Sequence, residues 1–392
     1  MTSPRFSILI PTRDRPVTFR HTLASVLAQS GSDFEIVVAD NCSSPAIKEI
    51  VNEAQSERIV YLRSDEVRPM TQNWEAGLKQ CKGEYVTILG DDDGLVPSTL
   101  QAARMLLNAT QAKVLNWSPH TYWWPDTIVY WNANRLNAVL GSGAHWYTSD
   151  SMLRGFYQGV LGFDRLPMIY SSFVHRDCIQ AVTDRFGAYF NIPQVPDVVS
   201  GVLNLLQTEN ILFSQRPLSV RGNSGKSNGT AQWARSLGAK QRENYFQEER
   251  ARLSEIIHPS LVPSPNLNIL IASVKLQCKE MFFPERSDLD VNIRDLVYSV
   301  IASLNSDPDA YDDNLAEARE LAEKHGIDLA QFSIPAKGVA VRRKYSGLVS
   351  DTSTDPRSIV VNCDLAGVQD VNAAGRLCDA LLPNCTDAFA GM

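Results

Sequence analysis

The order of apolar patterns along this chain predicts an α/β fold, with a mainly parallel sheet flanked by helices and a mostly helical C-terminal region. Three observations carry that prediction. Short β-branched runs alternate with segments of helical spacing through about the first 115 residues. Each run stops abruptly in a polar or acidic loop. Beyond about Gln232 the composition turns charged and amphipathic with helical periodicity.

Taken in order, Phe6-Ser-Ile-Leu-Ile10 reads as the first strand and runs into Pro11-Thr12-Arg13-Asp14-Arg15-Pro16. Phe19, Leu23, Val26 and Leu27 then recur at helical spacing up to Gln29. A second strand, Phe34 to Ala39, ends at Asp40-Asn41-Cys42-Ser43-Ser44, and a second helix covers Ala46 to Ala54. Ile59 to Leu62 adds a strand, and Asn73 to Cys81 adds a helix. The run Glu84-Tyr-Val-Thr-Ile-Leu-Gly90 reads as a buried strand that ends in Asp91, Asp92, Asp93 and Gly94. In a parallel sheet of this kind ligands bind beyond the carboxyl ends of the strands, so Thr12, Asp40 and Asp91 to Asp93 are expected to share one crevice.

Three adjacent carboxylates repel one another unless a cation or ion pair answers them. If the backbone stays extended, Asp91 and Asp93 point to one side and Asp92 to the other. Two hard oxygen donors suit Mg²⁺ or Mn²⁺, which could hold a phosphorylated ligand. The plainer alternative is a solvated acidic turn. Asp40, taken alone, reads equally well as a helix N-cap or an Asx turn.

The pieces Ser7-Ile-Leu-Ile-Pro-Thr12, Glu35-Ile-Val-Val-Ala-Asp40-Asn-Cys-Ser-Ser44, Asn73-Trp-Glu-Ala-Gly77 with Gly83-Glu-Tyr85, and Leu89-Gly-Asp91-Asp-Asp93 with Pro97 resemble the family 2 glycosyltransferases in order and spacing, over about the first quarter of the chain. The resemblance implies a GT-A type fold that binds a nucleotide-diphosphate sugar. It implies that Pro11, Thr12 and Asp14 line the nucleoside pocket, that Asp40 accepts a hydrogen bond from base or ribose, and that Asp91 lies near the ribose. Asn73 and Asp92 are grouped with the same donor-binding residues. Asp93, with Asp91 beside it, is the expected metal site for Mn²⁺ or Mg²⁺. Arg13 and Arg15 can reach a diphosphate, or serve as ordinary surface charges.

After about Asn116 the chain changes character. Five of the seven tryptophans, Trp117, Trp123, Trp124, Trp131 and Trp146, fall in a short stretch. The pattern predicts a hairpin of His120 to Trp124 and Thr127 to Trp131 around a Pro125-Asp126 turn. Such aromatics pack a core or stack on sugar rings. Further on, Asp197 stands after Pro196 before the apolar helical run Val198 to Leu206, where an N-cap would explain it. The family resemblance offers the catalytic base of inverting members, commonly in a Glu-Asp pair that is here Pro196-Asp197. Asp164, Asp177 and Asp184 are alternatives. Gly222-Asn-Ser-Gly225-Lys226-Ser has two residues between its glycines where a P-loop needs four, which excludes that motif. By the resemblance, Arg221 or Lys226 belongs to a mobile loop that closes on the donor; by composition the same segment is a flexible linker.

The chain thus divides into 1–115 for nucleotide-sugar binding, 116–231 for the acceptor side with the candidate base, and 232–392 as a mainly helical accessory region. Gln241 to Ile257 and Asp313 to His325 show amphipathic spacing, Ser358 to Asn362 reads as a strand, and Val371 to Leu382 reads as a helix. Leu267 to Phe283 packs within its domain, or lies on a membrane if the acceptor is lipid-linked. A chain of 392 residues with 44% hydrophobic content has room for two or three domains. Its net charge of -7 gives no electrostatic ground for nucleic-acid binding. Seven cysteines without a CxxC pair fit a reducing compartment. With no apolar run near the ~20 residues of a spanning helix, the expected location is the cytoplasm, at the inner membrane face if the acceptor is a glycolipid.

The combined reading is an inverting, metal-dependent transfer of a sugar from a nucleotide-diphosphate donor to an acceptor hydroxyl, on a surface polysaccharide or glycolipid. A sugar-phosphate nucleotidyltransferase is the first rival, although the loop after the first strand lacks the glycines that chemistry usually brings. A non-catalytic sugar-binding scaffold is the second.

Overall fold

The structure is a computed structural model and describes residues 3–193, 195–249, 252–339, 347–349 and 357–389. Its strands are β1 (Phe6–Thr12), β2 (Phe34–Asp40), β3 (Ile59–Arg63), β4 (Tyr85–Ile88), β5 (Gly94–Leu95), β6 (Val114–Trp117), β7 (His120–Trp123), β8 (Arg135–Leu140), β9 (Ala144–Thr148), β10 (Ser172–His175), β11 (Asn210–Ser214), β12 (Ser219–Asn223), β13 (Gly347–Val349) and β14 (Arg357–Asn362). One sheet has the order β3-β2-β1-β4-β10-β6-β11-β9 and the other β13-β14-β8-β7-β12-β5.

The first sheet is parallel where the sequence alternates strand and helix: β1 pairs in parallel with β2 and β4, β2 with β3, and β6 with β11. β10 is antiparallel to both β4 and β6, and β9 is antiparallel to β11. β1 and β2 are buried along their whole length, which explains why they read as continuous apolar runs and not as alternating ones. Alternate residues of β1 enter opposite cores: Leu9 faces one cluster with Val37, Ile88 and Trp74, while Phe6, Ile8 and Ile10 face the other with Phe19, Leu23 and Leu100. The flanking helices Pro16–Leu27, Pro45–Ala54, Met70–Leu78 and Thr99–Thr110 cover the two faces.

Two expectations need correction here. The predicted hairpin exists, but its return strand is β8, paired as Thr121 with Asn137 and Trp123 with Arg135. Residues 127 to 134 instead form an irregular connection containing the short helical turn Tyr130–Asn132, because Thr127 and Val129 turn inward to be buried. The tryptophans divide accordingly: Trp117 and Trp124 are core, whereas Trp146 is exposed.

The region 232–392 is also not one unit. Helices Leu267–Phe282, Ile293–Ala302 and Tyr311–Lys324 share a core with Ile257, Leu261 and Val262. The other flank of Leu267–Phe282 sends Val274, Cys278 and Phe282 into the main core, so this helix is packed and offers no free apolar face. Helix Val371–Leu381 returns to the first half of the chain, burying Val371, Ala374 and Cys378 against Val96, Tyr122 and Val220. Among the described residues no helix is long and apolar enough to cross a membrane, and all seven cysteines are free.

Candidate active site

β4 ends at Ile88, and the chain turns at once: the Asp93 amide donates to the Gly90 carbonyl at 3.0 Å. This turn overrides the extended alternation expected of Asp91 and Asp93. Their carboxylates consequently meet different partners. Thr12 Oγ1 donates to Asp91 Oδ2 at 2.8 Å, and Arg15 Nη1 lies 3.0 Å from Asp91 Oδ1. Asp92 Oδ2 accepts from Ser224 Oγ at 2.6 Å. Asp93 accepts from the Gly222 amide at 2.7 Å and from the Gly90 amide at 3.2 Å. All three are at least nine-tenths enclosed, so the plain solvated turn is excluded.

Burial shapes their titration. It raises the Asp92 carboxyl, against the pull of Arg15, and raises Asp93 to about 7, with the charge of Asp92 adding to the effect. Burial alone would lower Arg15, but the charges of Asp91 and Asp92 outweigh it and hold the guanidinium firmly protonated. Arg15 is therefore part of the site and not a surface charge.

The residues expected to line a nucleoside pocket gather at the ends of β1 and β2. Pro11 and Thr12 are the last residues of β1, buried beside Ala39 and Asp40. Asp14 adopts a left-handed conformation (φ 49°), takes the Ser44 amide on its carboxylate at 2.7 Å and donates its own amide to Ser43 Oγ. Asp40 is fully enclosed: it accepts from the Ser43 amide at 2.8 Å and from Tyr61 Oη at 2.5 Å, with Arg63 Nε 3.7 Å away. The Ser43 amide lies three residues on, one beyond an Asx turn, and Ser44 is the N-cap of helix Pro45–Ala54, so neither local alternative describes Asp40. Asn73 is buried and donates to the Ala39 carbonyl at 3.0 Å, which ties helix Met70–Leu78 to the end of β2.

Asp197 is the second residue of helix Pro196–Leu206, because Val195 in a left-handed conformation is the N-cap and Pro196 the first helical residue. The N-cap explanation for Asp197 is thus excluded. Burial raises its carboxyl above the ordinary range, while the Val198 amide and the charge of Arg221 pull it back. Tyr170 joins it to the acidic turn: burial raises the Tyr170 hydroxyl, and Asp93, Asp197, Asp92 and Asp91 all add to that rise. The turn that carries Tyr170 is tied to the Asp197 helix by the Ile169 amide, which donates to Ser200 Oγ at 3.1 Å. Asp164, Asp177 and Asp184 are exposed, Asp177 pairing with Lys113 at 2.9 Å and Asp184 accepting from Gln180 Nε2 at 2.6 Å.

Arg221 belongs to β12, so the segment is sheet as far as Asn223 and is neither loop nor linker there. The loop beyond it is pinned across the site, since Arg15 Nη2 donates to the Lys226 carbonyl at 2.5 Å and Lys226 Nζ donates to the Asp14 carbonyl at 2.9 Å. Helix Ala239–Glu248 and Glu249 continue the strap, pairing Glu248 with Arg13 and Glu249 with the Met70 amide. Tyr170 was missed in the sequence because it lies in an isolated helical turn, Ile169–Ser171, next to no motif. Gly222 and Ser224 were missed because their service to Asp92 and Asp93 spans some 130 positions of chain.

The donor set fits a divalent cation only in part. Among the described residues no group of three or more His, Cys, Asp or Glu side chains converges. Both Asp91 oxygens are engaged by Thr12 and Arg15. Each Asp93 oxygen accepts one backbone amide and keeps lone pairs in reserve. A hard cation that keeps its waters and takes phosphate oxygens needs no more than one or two protein carboxylates, and Asp93 can supply that.

Residues 7–142 match the family model described as glycosyl transferase family 2. Over 114 residues the chain is 34% identical to the GalNAc(5)-diNAcBac-PP-undecaprenol beta-1,3-glucosyltransferase of Campylobacter jejuni, covering 28% of this chain and 37% of that protein. It is 29% identical over 100 residues to the putative colanic acid biosynthesis glycosyl transferase WcaA of Escherichia coli, covering 25% and 36% respectively. The chain therefore spans roughly a third of the length of these curated relatives. The structure of Staphylococcus aureus TarS 1-349 in complex with UDP-GlcNAc aligns with a TM-score of 0.46 and 14% identity, covering 82% of this chain and 92% of that one.

Proposed function

From the match of residues 7–142 to the glycosyl transferase family 2 model, we infer that the chain moves a sugar from a nucleotide-diphosphate donor to an acceptor hydroxyl with inversion. The observation that carries this reading is that the acidic turn after β4 and the helix that begins beside Asp197 meet at one helical turn: Thr87 Oγ1 of β4 donates to the Ile169 carbonyl at 3.1 Å, and the Ile169 amide donates to Ser200 Oγ of the Asp197 helix at 3.1 Å. A base and a leaving-group site on opposite sides of one crevice are what in-line displacement at an anomeric carbon requires.

Asp197 takes the proton from the acceptor hydroxyl as the oxygen attacks. Its raised carboxyl makes it a better base than an ordinary aspartate. Arg15, fixed against Asp91, and Lys226, which reaches the Asp14 carbonyl, are the cations that would answer charge gathering on the departing diphosphate. Pro11, Thr12, Asp14 and Asp40 form the wall for the nucleoside, with Asn73 bracing the end of β2. A divalent cation at Asp93, Mn²⁺ or Mg²⁺, supplies neutralisation of the diphosphate when bound. The undecaprenol-linked and colanic acid chemistry named for two relatives supports a polysaccharide or glycolipid acceptor.

The test is a melting-temperature screen of nucleoside diphosphates and nucleotide sugars with and without Mn²⁺, followed by nucleotide release on adding a glycan acceptor. Stabilisation by a diphosphate that grows with Mn²⁺ and is lost in the Asp93→Ala variant is expected. Equal stabilisation after chelation removes the metal from the reading, and pyrophosphate release from a nucleoside triphosphate replaces it with nucleotidyl transfer.

A further inference from the structure

The second sheet has one buried face and one open face. Val220 on β12, Tyr122 on β7, and Leu136 and Ala138 on β8 are buried under helix Val371–Leu381. Residues paired across neighbouring strands share a face, and the face alternates along each strand. Thr121 pairs with Arg221 and with Asn137, and Trp123 pairs with Asn223 and with Arg135. Those six side chains therefore stand together on the other side, and each keeps solvent access.

This surface is continuous with the active site, since Arg221 precedes Gly222 on β12, whose amide donates to Asp93 at 2.7 Å. It carries an aromatic anchor: the Trp233 ring lies 6.0 Å from that of Trp123 at 54° and is 48% exposed. An aromatic face set among amide, hydroxyl and guanidinium groups matches a sugar ring, which offers C–H patches on one side and hydroxyls at its rim. A protein partner would call for a wider apolar patch. A nucleobase belongs on the opposite side of the acidic turn, where Asp91 meets Thr12 and Arg15, whereas Asp92 and Asp93 face β12 and Ser224.

Building on the glycosyltransferase reading above, we propose that the open face of β8, β7 and β12 is the binding surface for a glycan acceptor, with Trp123 and Trp233 stacking on one of its sugar rings. The strap then has two duties: its start closes on the nucleotide side through Lys226, and helix Asn228–Trp233 delivers Trp233 to the acceptor side.

The experiment uses the full chain on an array of immobilised bacterial capsular, O-antigen and teichoic polysaccharides, beside the variants Trp233→Ala and Trp233→Phe. Melting temperature with and without uridine and guanosine diphosphates is the parallel readout. The wild-type chain is expected to retain at least one polysaccharide, the Ala variant to hold it about tenfold more weakly, and the Phe variant to recover most of that loss, with the nucleotide response unchanged in all three. Equal retention by the Ala variant overturns the proposal, as does a wild-type chain that responds to a diphosphate and retains no polysaccharide. A chain that responds to neither removes the glycosyltransferase reading itself. If Trp233→Ala does not fold, Asn137→Ala at the other edge takes its place: weaker retention supports the surface and unchanged retention overturns it.

Discussion

Two opposed influences set the titration of Asp197, burial that raises its carboxyl and helix-terminal amides that lower it. Asn fits the same space and tolerates the first helical turn, so Asp197→Asn is expected to change the melting temperature little. It cannot take a proton, and turnover should fall by about 10²–10⁴-fold with donor affinity preserved. Near-normal turnover in steady-state assays would return Asp197 to a structural role. Glu249 tests the strap through pH. Burial raises its carboxyl to about 7 from an ordinary 4.5, with Glu248 adding to the rise and the Met70 amide opposing it. Because the folded chain holds this proton more tightly than the unfolded chain, Glu249 costs nothing below about pH 4.5, and its cost grows as pH rises through 7. Glu249→Gln keeps an acceptor for the Met70 amide and loses the charge. It should stabilise the protein by on the order of 2 kcal/mol at pH 8 and by nothing measurable at pH 4 in urea titrations. An equal effect at both values would show that titration has no part in it.

The acidic turn works as an element because β12 closes over it. The Gly222 amide reaches Asp93, Trp124 Nε1 donates to the Asp92 carbonyl at 2.9 Å, and Ser224 holds the Asp92 carboxylate. A Cβ on Gly222 would overlap the Asp92 carbonyl oxygen and crowd Trp124 Nε1, and backbone cannot yield as a flexible side chain can. Gly222→Ala is therefore expected to destabilise by about 1–3 kcal/mol and to weaken diphosphate binding as the turn shifts. Calorimetric titration of a diphosphate beside thermal melting checks this, and unaltered binding would mean the clamp does not position Asp93. At this scale the strands of the first sheet were legible in the sequence, because fully buried parallel strands write continuous apolar runs such as Phe6 to Ile10. The turn at Gly90 was not legible: whether Asp91 and Asp93 share a side depends on an Asp93-to-Gly90 hydrogen bond that no period reveals. The return strand β8 was missed for a related reason, since Tyr130 and Trp131 favour strand in isolation while burial of Val129 and Asn132 bends them into a helical turn.

Across the whole molecule the C-terminal segment completes the first half of the chain. Cys385, Ala388 and Phe389 enter the core formed by Phe6, Leu100 and Trp117, and β14 extends the second sheet beside β8. Sequence showed the strand and helix of this segment but not their destination, because contacts between Ser98 and Asp379 leave no local pattern. Thr12 and Asp91 could be assigned to one crevice through the strand-end rule, whereas Tyr170 and the strap depended on distant packing. The joint between the halves is Arg216, whose side chain is 1% exposed: it meets Asp379 at 2.7 Å and Ser98 Oγ at 3.1 Å, and donates to the Pro383 carbonyl. Asp379→Ala would leave that guanidinium buried without its counter-charge. Because Asp379 itself is partly exposed, the loss should fall below that of a fully buried pair, at about 2–3 kcal/mol by urea denaturation. Replacing both partners, as Arg216→Met with Asp379→Leu, removes the stranded charge together with its need for solvation, and should recover most of that loss. If the double variant is no better than Asp379→Ala, the hydrogen bonds to Pro383 and Ser98, and not the ion pair, hold the C-terminal segment on the fold.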